Sequence, residues 1–258
     1  PGKKEVKEIT KHTPVKMLKL SLEDGRNINV TENHKLYLKG KKEKKAFEIQ
    51  EGDKLIVSYK RNIDEVDINE IFLPDLFCER DDVMIRNVRN YLSKFIKLSK
   101  HNNFIFRDSF PIKLVKEILE EKGKSLKDLP DEARIGIKRN NISIPIRIKL
   151  GDDLLKILGL YIAEGYLRKR DSSKNQKGFY QISISSSNEE LKKLIKKVFY
   201  ESFKLNPSYV AEDQIVFSSI IVYELFKDYL DMGTRASNKR IPSIFLNLKK
   251  EKLANLLS

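Results

Sequence analysis

The sequence contains a single cysteine, Cys78, and no apolar run of the roughly 20 residues needed to cross a bilayer. A lone thiol excludes a disulfide framework and leaves no second sulfur ligand for a structural zinc site. The beginning, Pro1-Gly-Lys-Lys, lacks the apolar core of a signal peptide, and a first residue of proline suggests that the natural start is missing. We therefore expect a cytoplasmic protein without a membrane partner.

Acidic residues are too few to balance the basic ones. Lys and Arg number 51 against 37 Asp and Glu, which leaves a formal charge of +14 and a pI near 9.5. The basic residues recur in clusters at 39–45, 168–177, 192–197 and 239–240. This balance predicts a polyanionic partner, for which nucleic acid is the natural candidate. Any single cluster can instead be solvated helix surface. The prediction therefore rests on the total charge and on the position of the clusters near other sequence features.

The most informative stretch is an apolar helix at 154–165 that ends in an acid and then a glycine. Glu164 falls in the last turn, where the helix dipole favours Lys or Arg, so folding alone does not account for it. Gly159 costs about 1 kcal/mol relative to alanine unless close packing against another backbone offsets it. Gly165 is expected to be a left-handed C-terminal cap. The alternative is a buried amphipathic helix whose terminal acid is merely solvated.

The remainder of 151–258 predicts a helix, two strands, a helix, two strands and a helix. Strict alternation over 179–185 predicts a strand with one packing face and one polar face that can read bases. The packing face holds Tyr180, Ile182 and Ile184, and the polar face holds Gln181, Ser183 and Ser185. A second hairpin is expected over 209–217 and a helix over 220–230. Phosphate contacts are expected from the basic loop at 168–177.

The first 150 residues show two further patterns. Short strands are expected at 15–22, 27–30, 34–38 and 49–57, with a basic loop after the third, so that 1–75 is an all-β piece. Between 76 and 150 the apolar spacing predicts helices at 83–98 and 111–119, and the segment is basic. Two readings of this insert stay open, a helical segment that touches DNA and a plain helical linker.

The segment Ile157-Leu-Gly-Leu-Tyr-Ile-Ala-Glu-Gly165 resembles the signature helix of the LAGLIDADG homing endonucleases. The resemblance implies two such helices that pack side by side through small residues and deliver two acids to the scissile phosphates. It makes Gly159, Ala163 and Gly165 packing residues, and it makes Glu164 the first catalytic acid and a ligand of Mg²⁺. Glutamate stands where aspartate is commoner, which keeps the carboxylate.

Two later segments extend this resemblance. Lys239-Arg-Ile-Pro242 looks like the K-x-I-P block of intein nucleases, which implies that Lys239 polarises water or stabilises charge near the phosphate; a solvated surface lysine is the alternative. The stretch 248–258 resembles the start of a second signature helix and stops before the acid and the glycine that end such a helix. The residues expected to contact DNA are Arg168, Lys169, Arg170, Lys174, Lys177, Gln181, Ser183, Ser185 and Arg240.

The block Gly25-Arg-Asn-Ile-Asn-Val-Thr31-Glu-Asn-His34 resembles the G-x-x-I-x-x-T-x-x-H block of inteins and Hedgehog-type (Hint) domains. The resemblance implies that His34 protonates the scissile amide nitrogen and that Thr31 supports it; a structural histidine is the alternative. Splicing also needs a nucleophile at the first residue and an asparagine at the last. Pro1 and Ser258 supply neither, so we expect an internal piece of a larger intein that cannot splice.

Together these features predict an α+β chain. A partial Hint-like β piece at 1–75 and a basic helical insert at 76–150 precede one αββαββα LAGLIDADG repeat at 151–258. The predicted function is a fragment of an intein-borne endonuclease that hydrolyses double-stranded DNA with Mg²⁺ and is inactive alone. A non-catalytic DNA- or RNA-binding protein on the same scaffold, such as a transcription regulator or RNA-splicing cofactor, is the alternative. We expect a monomer whose second repeat is intramolecular, rather than a dimer through 154–165.

Overall fold

The computed structural model describes residues 16–23, 27–40, 42–56, 65–95, 102–172 and 178–257. The chain divides into two compact units, Pro1–Asn62 and Ile63–Ser258. No helix in the described ranges is long and apolar enough to cross a membrane.

The described part of the first unit consists of two antiparallel hairpins. Its strands are β1 (Met17–Ser21), β2 (Asn27–Thr31), β3 (Lys35–Leu38) and β4 (Lys42–Lys45), paired β1 with β2 and β3 with β4. Val30, Leu38 and Ala46 are its buried apolar side chains. The predicted β character is therefore confirmed for this part of the chain.

Two details of that prediction are wrong. The basic segment after β3 is itself a strand, β4, rather than a loop. No strand forms over 49–56, where Leu55 makes only an isolated bridge with Leu38, and residue 57 lies outside the described ranges. The cause is a turn, because Gly52 has a φ of 90° and the Asp53 carboxylate accepts a hydrogen bond from the Gln50 backbone at 2.9 Å.

The second unit begins with elements that precede the predicted signature helix. In chain order they are β5 (Glu70–Phe72), α1 (Leu73–Phe77), β6 (Val83–Arg86), α2 (Arg89–Leu92), α3 (Asn102–Phe106), β7 (Ser109–Pro111), α4 (Ile112–Glu120), β8 (Arg134–Ile137), β9 (Ser143–Pro145) and β10 (Arg147–Lys149). Strands β7-β6-β8-β9 form one antiparallel sheet, and β10 pairs with β5.

The prediction of a helical insert at 76–150 is therefore wrong, because five strands, β6 to β10, lie in it alongside the helices α2, α3 and α4. Val83 begins a strand whose first three side chains are buried, and this strand pairs on both sides, with β7 and β8. A short, fully buried apolar run has no alternation by which sequence distinguishes a central strand from a helix. The helix predicted over 111–119 is present as α4.

The rest of the unit follows the predicted order of helices and strands, but the predicted basic loop at 168–177 begins as a strand, since residues 165–170 form one. Its elements are α5 (Asp152–Glu164), β11 (Gly165–Arg170), β12 (Phe179–Ser185), α6 (Glu189–Phe203), β13 (Tyr209–Val210), β14 (Gln214–Ser218), α7 (Ile220–Glu224) continued by a π-helical turn (Leu225–Tyr229), and α8 (Lys250–Leu257). The four strands form an antiparallel sheet in the order β11-β12-β14-β13. One hydrophobic core runs through both 76–150 and 151–257, so these two predicted domains form one compact unit, which begins at Ile63 rather than at the predicted boundary after residue 75.

Arg80 joins the two halves of this unit. Its guanidinium donates to Glu224 at the end of α7 and to Asp82 at 2.7 Å. The Glu224 side chain is only 16% exposed, and burial raises the pKa of its carboxyl while the nearby Arg80 charge opposes that shift. The Arg80 cation stabilises this buried carboxylate, because an unpaired charge in that position would be poorly solvated.

Removal of this carboxylate should weaken the whole unit. We expect Glu224→Ala to lower the free energy of unfolding by about 2 kcal/mol, because Arg80 loses its buried partner. Glu190→Ala, which removes an exposed carboxylate paired with Lys193, is the control and should cost less than about 0.5 kcal/mol. Urea unfolding followed by circular dichroism measures both, and equal effects would show that the Arg80 pair does not hold the halves together.

Candidate nucleic-acid interface

The helix α5, predicted to be a signature helix, packs against α8 at Gly159. A Cβ built on Gly159 would lie 1.9 Å from the carbonyl oxygen of Leu256 in α8, so only glycine permits this approach. Asp67 holds the start of α8 through Lys249 and Lys252 at 2.7 and 2.8 Å, and these two ammonium groups lower the pKa of Asp67 to about 2. The predicted close packing at Gly159 therefore occurs, and its partner is the helix at the end of the chain.

The other two predicted packing residues behave differently. Gly165 is not a left-handed cap: its φ is −89° and ψ is 170°, and it begins β11 directly. Glycine is required there for space, because a Cβ would lie 2.3 Å from the Tyr161 ring. Ala163 is exposed, so the packing role predicted for it is not seen among the described residues.

Glu164 ends α5 with its side chain in solvent. Within the described part of the chain, no hydrogen bond or salt bridge shorter than 4 Å involves its carboxylate. This carboxylate lines a cleft of about 610 Å³ together with four cationic side chains, Arg168, Lys169, Arg235 and Lys239. An acid surrounded by cations but ion-paired with none of them is available to a ligand.

Lys239 contacts the end of the helix directly. Its Nζ donates to the Ala163 carbonyl oxygen at 3.1 Å and lies 5.7 Å from the centre of the Tyr161 ring. Burial lowers the pKa of Lys239, and the negative charge of Glu164 acts in the opposite direction. The two residues predicted to be catalytic in the nuclease part are therefore neighbours, although their roles stay predictions.

A loop pinned to α5 holds Lys239 in this position. The Asn238 side chain accepts from the backbone of Thr234 and Arg235 at 2.8 and 2.9 Å, which closes the loop on itself. The buried Tyr161 hydroxyl donates to the Gly233 carbonyl at 2.7 Å, and burial raises the pKa of this phenol. Because Tyr161 belongs to α5, the loop that carries Lys239 is tied to the helix that carries Glu164.

The sheet β11-β12-β14-β13 has one packed face and one outer face. Phe217 stacks on Phe199 of α6 at 3.8 Å, and Tyr180 meets Tyr223 of α7 edge to face, so α6 and α7 both cover the packed face. The outer face carries cross-strand rows that begin at the cleft: Arg170 with Phe179, Arg168 with Gln181 and Ser218, and Tyr166 with Ser183 and Val216. Arg168 and Arg170 lie 5.6 and 4.9 Å from the Phe179 ring.

Ser183 does not reach the surface, which corrects its prediction as a base-reading residue. Its hydroxyl is fully buried and has no hydrogen-bond partner among the described residues. The reason lies on the flanking strands: the Tyr166 hydroxyl on β11 donates to Gln214 on β14 at 2.8 Å. Since β12 runs between those strands, this bond crosses over it and covers Ser183.

The remaining predicted DNA contacts have varied surroundings. Gln181 and Ser185 lie on the outer face and are half-buried. Lys169 forms a salt bridge with Asp171 at 3.0 Å, and Arg240 forms one with Asp231. Lys174 and Lys177 lie outside the described residues.

The residues predicted to act in splicing belong to the other compact unit. Thr31 ends β2 and is half-buried, while His34 is exposed in the turn that follows. The His34 backbone closes that turn, since its N–H donates to the Thr31 carbonyl at 3.0 Å and its carbonyl accepts from Ala46 at 2.8 Å.

Sequence reasoning missed three residues of the interface. Arg235 belongs to a segment without periodicity, so only its charge could have indicated it. Tyr166 and Gln214 occupy outer-face positions, and continuing the alternation of Arg168 back along β11 would have found Tyr166. The Tyr166–Gln214 bond itself depends on strand order, which has no local signal in the sequence.

A comparison with known proteins finds no matching family model. Three curated relatives match nearly the whole chain. They are a DNA polymerase II large subunit of Thermococcus kodakarensis (31% identity over 93% of this chain), an uncharacterised protein of Methanocaldococcus jannaschii (29% over 88%) and a DNA polymerase of Thermococcus sp. (26% over 93%). The chain spans only 13%, 27% and 18% of their respective lengths.

One solved structure overlaps part of the chain. It is a variant of I-DmoI in complex with its nicked target DNA in the presence of manganese. The overlap covers 42% of this chain and 58% of the other, at 20% identity and a TM-score of 0.30. An overlap this loose does not establish a common fold.

Proposed function

We propose that this chain is a fragment of an intein that carries a LAGLIDADG-type, site-specific DNA endonuclease. The observation that carries the proposal is the exposed, unpaired carboxylate of Glu164 beside Lys239, at the end of a helix packed through Gly159. Folding does not require an acid at this position, because the helix dipole disfavours it and no salt bridge in the described chain uses it. A role toward a ligand accounts for it.

The relatives support an inserted element. The same stretch of about 250 residues recurs in two differently named polymerases and in an uncharacterised protein, each time as a small part of the whole. A segment of the polymerase machinery itself would not be expected to recur in this way. An intein, which interrupts unrelated positions of its hosts, would.

Double-stranded DNA would lie on the outer face of the sheet. Arg168 and Arg170 would contact phosphates, and the guanidiniums of both lie near the Phe179 ring. Gln181 and Ser218, which are polar but uncharged, would face the bases from the adjacent strands. The charge of +14 adds a sequence-independent attraction that falls as salt rises.

A divalent cation such as Mg²⁺ fits Glu164 as a single protein ligand. Mg²⁺ usually takes one or two carboxylates and completes its shell with water and substrate phosphates. No group of three or more His, Cys, Asp or Glu side chains suited to a metal occurs in the part of the chain that the structure describes. When bound, such an ion activates water and stabilises the leaving oxygen of a phosphodiester.

Lys239 would act on the phosphate directly. An ammonium group has three donors, and one of them is used on the Ala163 carbonyl. Two donors remain for a phosphate oxygen or a water in the cleft, and the partial burial that lowers the pKa of Lys239 also strengthens its field there. Its attachment to the helix end keeps this charge beside Glu164.

The first unit would be the partial splicing module. We assign His34 and Thr31 the roles that the intein-like block implies, protonation and support at the scissile amide. The exposed imidazole in the turn after β2 is open to such a peptide. We further propose a monomer, because α8 of the same chain already occupies the face of α5 at Gly159 through which two copies would pair.

The test of the nuclease module is a binding titration with mixed-sequence duplex DNA. We expect affinity that falls at least about tenfold between low and physiological salt, as several phosphate contacts require. We expect no cleavage by this chain in Mg²⁺, since the described cleft supplies one carboxylate. Absence of binding would refute the proposal, whereas cleavage would show that one acid suffices. A non-catalytic binding protein would also bind, but its affinity would not depend on Mg²⁺ through Glu164.

A further inference from the structure

The sheet β7-β6-β8-β9 carries a second basic surface, away from Glu164. A groove of about 1020 Å³ beside α3 is lined by four cationic side chains, Arg86, Arg107, Lys138 and Arg139. None of the described residues that line it is an Asp or Glu. In a chain with 37 acidic residues, a groove of this size without one is a region of uncompensated positive charge.

Two arginines keep their positive charge without an acidic partner among the described residues. Arg86 and Arg134 are cross-strand neighbours on β6 and β8, and both are half-buried. Arg86 donates to the carbonyls of Asn141 at 3.1 Å and Ile137 at 3.2 Å, and Arg134 donates to the Ser143 hydroxyl at 3.0 Å. Burial lowers the pKa of both guanidiniums, and no carboxylate in the described ranges forms a salt bridge with either.

A smaller groove connects this surface to the outer face of the other sheet. Asn141 lines both grooves, and the smaller one continues through Arg134 and Lys204 to Ser218. Ser218 belongs to the outer-face row of Arg168 and Gln181, and its hydroxyl donates to the Ser208 hydroxyl at 2.9 Å. The described lining of the smaller groove also contains no acid. An acid-free strip therefore runs from the outer face to Arg139.

We propose that this strip is a second DNA-binding surface, which holds the phosphate backbone of the duplex beyond the segment bound on the outer face. The inference rests on the proposed function, since it extends the same duplex. Its cations lie along grooves between strands, with Lys138 and Arg139 exposed at the far end. That distribution suits a sequence-independent backbone contact, because the guanidinium and ammonium groups provide donors and charge for phosphate oxygens.

The test is charge reversal at the far end of the strip. The double variant Lys138→Glu with Arg139→Glu is compared with the wild type for binding to a mixed-sequence duplex of about 30 base pairs over a range of salt. We expect affinity to fall at least about tenfold and the slope of log affinity against log salt to become less steep by about 1 to 2. The neutral pair Lys138→Gln with Arg139→Gln should give a smaller loss in the same direction.

The matched control reverses two lysines on α6. Lys193 and Lys197 are 69% and 60% exposed, and each already faces a glutamate. Since α6 covers the packed face of the sheet, Lys193→Glu with Lys197→Glu alters the net charge equally without touching the strip. Circular dichroism and thermal unfolding confirm that each variant is folded. A loss in the control as large as in the strip variant would overturn the proposal.

A further variant separates the two proposals. Arg168 lies on the outer face, so the Arg168→Glu variant should bind DNA more weakly if the duplex occupies that face. If Arg168→Glu weakens binding and the strip variants do not, the strip is refuted and the proposed function stands. If the wild type does not bind duplex DNA, both proposals fail.

Discussion

Replacing Gly159 with alanine is expected to lower the free energy of unfolding of the unit Ile63–Ser258 by about 2 kcal/mol, the usual cost of overpacking. In an exposed helix the same change would stabilise by about 1 kcal/mol, so the sign of the effect tests the packing. The new Cβ would lie 1.9 Å from the Leu256 carbonyl oxygen. Backbone cannot rotate away as a side chain can, so α5 and α8 must separate and lose contact along their length.

Gly151→Ala is the matched control for this prediction. Gly151 precedes the same helix with a φ of −80°, and nothing lies within 4 Å of a Cβ built there. That substitution should cost no more than about 0.5 kcal/mol, through a slightly poorer helix cap. Urea denaturation followed by circular dichroism measures both variants. A gain in stability for Gly159→Ala would mean that α8 does not pack on α5 in solution.

Replacing Glu164 with glutamine should change DNA affinity in opposite directions with and without Mg²⁺. Without metal, the wild-type carboxylate repels phosphates, and two charges about 4 Å apart interact by about 1 kcal/mol in water and more in a cleft. Loss of the charge should therefore tighten binding by about fivefold to tenfold. With Mg²⁺, the wild type should gain affinity because the ion bridges Glu164 and the DNA, and the variant should not.

Glu190→Gln provides the control for charge alone. Glu190 is 83% exposed on α6 and paired with Lys193, so its loss removes the same charge on the side of the sheet away from the cleft. Isothermal titration or fluorescence anisotropy with and without EDTA gives the four affinities needed. If Glu164→Gln responds to Mg²⁺ as the wild type does, Glu164 holds no metal and a non-catalytic binding protein becomes the better reading.

The parts of the fold that sequence predicted well have strong local periods. The alternation of Phe179–Ser185 and the helical spacing within α5 and α6 are properties of consecutive residues, so they are visible without the fold. The helix prediction at Val83–Arg86 was wrong because a strand buried on both faces shows no alternation of apolar and polar residues. The prediction for Gly165 was wrong because a glycine at a helix end suggests a left-handed backbone conformation. In the structure, glycine is needed there because a Cβ would collide with the Tyr161 ring.

The candidate site divides in the same way. The acid at the helix end, the basic clusters and the Lys239 block are visible in the chain itself. The burial of Ser183, by contrast, depends on the contact of Tyr166 with Gln214 across β12, which no local pattern indicates. The roles of Lys174 and Lys177 stay predictions, because both residues lie outside the described ranges. The acid-free strip is also absent from any linear pattern, because its cations come from β6, the residue after α3, β8 and the turn that follows it, and the end of α6.

The sequence by itself determined the excess of positive charge, the helix that ends in Glu164, the alternating strand after it and the order of elements around it. These follow from composition and from the periods of 3.6 and 2 residues, which are local. Only the tertiary structure decided that Leu256 is the residue of α8 that packs on Gly159, that Lys239 lies beside Glu164 and that 76–150 shares the core of 151–257. Each of those depends on contact between residues far apart in the chain, where strand pairing and close packing select the partner.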